Sequence, residues 1–163
     1  MIDTLLPQYD FSEIHARKIN ASVKETYANL RQLDFRGSLI SRFLFKLRGL
    51  NTKNMSFDKM VNRGSFFTIY EKENQEWIVG LLAESFTMPS LLKPDQDFRD
   101  WNPHRGVKIA WNFLLKPVTK ETVEVSTETR IQCLSSKSKF IFTIYWMFVR
   151  LFSGLSRLEM YVY

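Results

Sequence analysis

The side chains of this 163-residue chain that could bind a metal or move a proton are few and scattered. His15 and His104 are the only histidines and lie far apart. A zinc site takes about four N, S or O ligands. His104 with Asp97 and Asp100 would place three donors in one segment, but a solvated loop is the simpler reading of that segment, so no metal is expected. Cys133 is the single cysteine. One thiol makes neither an internal disulfide nor a thiolate metal site, and at the end of an alternating stretch it reads as a small hydrophobe. The glycines are isolated, so no phosphate-cradling loop is present. Two carboxylates stand in apolar surroundings. Glu84 lies in an otherwise apolar run, and Glu159 falls at the centre of an apolar helix side. A buried carboxyl has a raised pKa and can act as a base, but a bend near Ser153-Gly154 would expose Glu159, and no catalytic set is assigned. No cofactor is expected.

The residues better suited to a site are those that bind rather than react. Ile109, Trp111 and Phe113 alternate along one extended stretch, and Thr127 falls on the same face of the stretch that follows. Tyr145, Phe148 and Phe152 fall on the apolar side of the last helix. Fourteen of the aromatic residues are phenylalanine, an excess that fills cores or lines pockets for apolar ligands.

The elements that would position these residues are legible in order. Residues 1–10 read as an irregular lead-in ended by Pro7. Residues 11–20 read as a strand with Ile14 and Ala16 on its apolar face and Glu13, His15 and Arg17 on its polar one. Ser22 followed by Glu25 is a capping box, predicting a helix to about residue 33. A second helix is expected at 39–48, stopped by Gly49, and a helical turn at 56–61. From Ser65 the period becomes extended. The runs on either side of residues 73–76 predict a hairpin. Residues 88–105, with three prolines, make the longest irregular segment, of the kind used for lids and binding loops. Residues 107–116 and 122–133 alternate cleanly and predict a second hairpin, apolar on its inner face and charged on its outer one.

Residues 136–163 complete the chain as one long helix. At 100° per residue, Lys139, Thr143, Trp146, Arg150, Ser153 and Arg157 share a wet seam, and Ile141, Ile144, Phe148, Phe152 and Leu155 lie opposite. So broad an apolar face needs a concave partner, which the strands are placed to supply.

Composition narrows the rest. Hydrophobic residues at 45% and charged residues at 25% describe one globular domain spanning residues 1–163. The net charge of +6 permits anionic partners. The basic residues form no run, however, so no nucleic-acid partner is expected. The longest apolar run, residues 140–149, is too short to span a bilayer, so no stable membrane insertion is expected. The first residues lack the basic-then-apolar pattern of a signal peptide, and a cytoplasmic location is the default.

The order strand, two helices, antiparallel strands and long terminal helix resembles the START-like superfamily, also called SRPBCC. Short strings carry the likeness further, toward an uncharacterised bacterial branch: Asn20-Ala21-Ser22-Val23, Phe45-Lys46-Leu47-Arg48-Gly49-Leu50, 105–113 (RGVKIAWNF), Ser126-Thr127-Glu128-Thr129-Arg130, and Tyr145-Trp146 through Arg150 to Phe152-Ser153-Gly154-Leu155. The resemblance implies an α+β helix-grip fold, in which a curved antiparallel sheet wraps the C-terminal helix and leaves a cavity between them. The superfamily includes lipid-transfer proteins, polyketide cyclases and quinone binders, with no common catalytic set, so no residue role carries over.

Two function classes follow. One is a carrier or sensor of a small hydrophobic or amphipathic molecule such as a lipid, polyketide or quinone, with the chain a monomer or weak homodimer. The other is a cyclase- or isomerase-type enzyme using the same cavity. The absence of a clustered acid–base pair among the expected lining favours the first.

Overall fold

The structure is a computed structural model. It describes residues 1–32, 61, 66–84, 98–102 and 104–159, without the side chains of 148, 149 and 151–159. The helix expected at 39–48 and most of the 88–105 segment lie outside the described residues. Among those described, the order is α1 (Ile2–Leu5), β1 (Phe11–Ile19), α2 (Val23–Arg31), β2 (Phe67–Lys72), β3 (Glu76–Ala83), β4 (Val107–Pro117), β5 (Val123–Cys133) and α3 (Ser136–Glu159). The fold is α+β.

The strands form one antiparallel sheet in the order β1-β5-β4-β3-β2. Both hairpins occur as their turn signals predict, with Asn74 at positive φ in the first turn. Ser22 caps α2, its Oγ accepting from the Glu25 N–H at 3.2 Å. At the start of β4, Gly106 has φ +124°, and a Cβ there would lie 2.3 Å from the Ala83 carbonyl oxygen, so only glycine fits. Its N–H donates to Ser138 Oγ at 3.2 Å, tying the start of the central strand to the first turn of α3.

The inner face carries Trp77, Val79, Leu81, Val107, Ile109, Phe113, Leu115, Val123 and Ile131, packed with Tyr27 and Leu30 of α2 and with Phe142 and Tyr145 of α3. The outer face corrects one expectation. It is not a charged surface in water: Ile78, Leu82 and Ala110 pack there with Phe98 and with Ile2 and Leu6 of the N-terminal segment. Lys108 and Asn112 are both only 5% exposed. The expected irregular lead-in therefore begins with a helical turn that covers the sheet. At the centre of this face Gly80 lets Ile69 and Phe98 close in; a Cβ would sit 2.4 Å from Ile69 Cδ1 and 3.0 Å from the Phe98 ring.

Arg130 joins the N-terminal segment to the outer face. Its Nη2 donates to Asp3 at 2.6 Å, its Nε to Glu128 at 2.5 Å and its Nη1 to the Leu6 carbonyl at 3.2 Å. Its guanidinium also stands 4.7 Å from the Tyr9 ring centroid. Three acceptors and a ring face satisfy a guanidinium that is almost fully buried.

Two face assignments change. In β1, Phe11, Glu13 and His15 are the partly buried residues, and Ser12, Ile14 and Ala16 are exposed. Phe11 fixes the phase, because its ring packs 5.3 Å from Phe142 and 5.8 Å from Trp146. Among the described side chains of α3, those that meet the sheet are Phe142, Tyr145 and Trp146. Ile141 and Ile144, expected on the packed side, are 37% and 48% exposed, and Trp146, expected on the wet seam, is partly buried. Lys139 keeps the expected exposure and pairs with Asp10 at 2.7 Å.

Candidate functional site

The strand registers set out the inner face as rows running across the sheet. One row reads Glu13, Thr129, Trp111, Val79, and the next His15, Thr127, Phe113, Trp77. Strands lie about 4.8 Å apart, so each row crosses from the β1 edge to the centre of the sheet in roughly 10 Å. Along each row the chemistry changes in order, from ionisable side chain to hydroxyl to aromatic ring.

Five of the expected lining residues lie on or against this surface. Ile109 and Phe113 are buried in the inner core, and Tyr145 is 8% exposed beside Phe142 at a ring separation of 5.4 Å. Trp111 lies 4.6 Å from Phe113, ring to ring, yet is only partly buried, between buried neighbours on its own face. Thr127 is partly buried and is the register partner of Phe113. Phe148 and Phe152 lie outside the described side chains.

Sequence reasoning missed Glu13 and His15. His15 Nε2 is 2.9 Å from Glu13 Oε1, with side chains 41% and 21% exposed. They share a face because i and i+2 of a strand point the same way, and the face is the inner one because Phe11 precedes them in the same phase. Phe11 in step with Glu13 and His15 was the available signal. The alternation of Ile14 with Ala16 outweighed it.

The other candidates are placed elsewhere. Glu84 is exposed just past the end of β3. Cys133 is partly buried, and burial, with the nearby Asp10 charge, pushes its thiol up to about 12, so it holds almost no thiolate at neutral pH. His104 is exposed, Asp97 lies outside the described residues, and no cluster of metal-binding side chains occurs among those described. The side chain of Glu159 also lies outside the description. No helix among the described residues is long and apolar enough to cross a membrane.

An open cleft of about 380 Å³ lies on the opposite side of the sheet, lined by Leu5, Arg99, Asp100, Lys108 and Gln132 among others. It shares no residue with the expected site. Lys108 at its floor donates to the Arg99 carbonyl at 2.8 Å.

No protein-family model and no curated protein matches the chain. Among solved structures, a conserved protein from Geobacillus kaustophilus aligns over 91% of this chain and 86% of its own, at 12% identity and a TM-score of 0.42. A solution structure from Thermobifida fusca aligns over 78% and 76%, at 10% identity and a TM-score of 0.26. Likeness at this level assigns no family.

Proposed function

We propose that the chain is a helix-grip protein of START-like type that binds a small hydrophobic or amphipathic molecule between α3 and the inner face of its sheet. The observation that carries this reading is Trp111. A core strand normally buries its central inward residue, and the inward neighbours Ile109 and Phe113 are 4% and 2% exposed. Trp111 between them stays partly open; across the sheet it has Val79 on one side and Thr129, with Glu13 beyond it, on the other. An aromatic floor with a few polar groups at one edge is the usual lining of a small-molecule site.

The test is titration of the protein with a neutral apolar fluorophore, N-phenyl-1-naphthylamine. Saturable binding is expected, weakened about tenfold or more in Trp111→Ala, equivalent to about 1.4 kcal/mol. Failure of the parent protein to bind this fluorophore or an acyl chain would overturn the reading.

A cyclase- or isomerase-type activity at the same place gains support from one observation: Glu13 and His15 are a paired carboxylate and imidazole in the rows of Trp111 and Phe113. Mass spectrometry of a co-purified ligand separates the two. A polar ring system favours the enzyme and an acyl chain the carrier.

A further inference from the structure

We infer that the β1 edge of this site selects a ligand whose polar end is a neutral hydroxyl, an alcohol or phenol, and disfavours a carboxylate; the inference rests on the binding reading above. The geometry of the Glu13–His15 pair is the reason. A carboxylate cannot donate, so Nε2 of His15 carries the hydrogen in its 2.9 Å contact with Glu13 Oε1. In the neutral imidazole Nδ1 is then an acceptor, and Oε2 of the Glu13 carboxylate is an acceptor as well. Thr127 and Thr129, the register partners of His15 and Glu13, have hydroxyls that rotate to donate or accept.

The polar edge is therefore weighted toward accepting hydrogen bonds through Glu13 Oε2, His15 Nδ1 and the two threonine hydroxyls. A hydroxyl donates into that edge. A carboxylate has nothing to donate and meets acceptor atoms there. An ether of the same shape keeps the apolar contact with Trp111 and loses the hydrogen bond. Arg17, next on the same strand face, is exposed and engaged in an interaction of its own.

The experiment is calorimetric titration of the protein with 2-naphthol, 2-methoxynaphthalene and 2-naphthoate, three probes sharing one apolar body. The parent should bind naphthol about five- to tenfold tighter than the ether, with naphthoate weakest. Glu13→Ala should erase the advantage of naphthol over the ether. A circular-dichroism melt checks that the variant folds, and Glu13→Leu, which keeps the bulk and removes both acceptor oxygens, makes the same comparison if the alanine variant does not. Equal binding of naphthol and its ether by the parent, or tightest binding of naphthoate, overturns the hydroxyl selection and leaves the apolar site standing. Binding of none of the three overturns both.

Discussion

Tyr27 is the hydroxyl that locks α2 onto the sheet. It donates to Glu71 of β2, and Arg31 Nη1 holds the same carboxylate at 2.5 Å. The guanidinium of Arg31 also lies 4.7 Å from the ring centroid of Trp77. Burial, reinforced by the Glu71 hydrogen bond and charge, pushes the Tyr27 phenol up to about 12. A pKa raised in the folded state stabilises fully below the unfolded value of 10.0 and is lost as pH rises through the folded one. Tyr27→Phe should therefore cost about 1.5–3 kcal/mol at pH 8, the worth of a hydrogen bond to a charged acceptor. The difference from the parent should shrink between pH 10 and about 12. Urea melts across that range check it; a pH-independent difference would mean the ring packing alone was changed. At this scale the sequence was legible where one residue decided its own fate, as at Ser22. It misled where a partner decided. Glu13 and His15 are ordinary surface residues by type, and only the contact of Phe11 with Phe142, 131 positions away, turns them inward.

Strands were easier to read than the helix that packs on them. In β4 and β5 each side chain has only two faces to choose between, and alternation of Val, Ile and aromatic residues fixed the choice. In α3, Phe140, Ile141, Phe142, Ile144, Tyr145, Trp146 and Met147 are nearly continuous, so the apolar direction is poorly defined by sequence. The sheet resolves it by taking Phe142, Tyr145 and Trp146. Phe140 at 68%, Ile144 at 48% and Met147 at 64% exposure are left outward. Two phenylalanines two residues apart should then behave oppositely. Phe142→Ala removes a ring that is 1% exposed and should cost about 3–5 kcal/mol. Phe140→Ala should change stability by no more than about 0.5 kcal/mol, as at other surface sites. Denaturant melts of the two variants settle the phase of α3. Equal losses would mean that the outward stripe is also packed.

The whole molecule is a sheet covered on both sides, and the thinner cover is the one the sequence concealed. Four helical residues make no periodicity, and Pro7, two residues beyond them, reads as a loop, so Ile2–Leu5 carries no helical signal. Its weight comes from what lies under it. Ile2 and Leu6 are 4% and 2% exposed against Ile78, Leu82 and Ala110, and Arg130 takes two of its three acceptors from Asp3 and the Leu6 carbonyl. Deleting residues 1–6 would remove the burial of two aliphatic side chains, each worth about 1.5–3 kcal/mol, and would leave Arg130 with Glu128 and the Tyr9 ring. The expected loss is about 4–6 kcal/mol, read as a lower urea midpoint, because removing partners from a buried charge adds to the lost apolar burial. Asp3→Asn provides the control. Asp3 is exposed, so the ion pair by itself should shift the midpoint far less than the deletion does. Because α1 and the Trp111 surface lie on opposite faces, a shorter chain that still folds should bind N-phenyl-1-naphthylamine with unchanged affinity at its inner face. A deletion that left the midpoint where it was would show that Ile78, Ala110 and Arg130 are satisfied without α1, and that the outer face is organised by Phe98 instead.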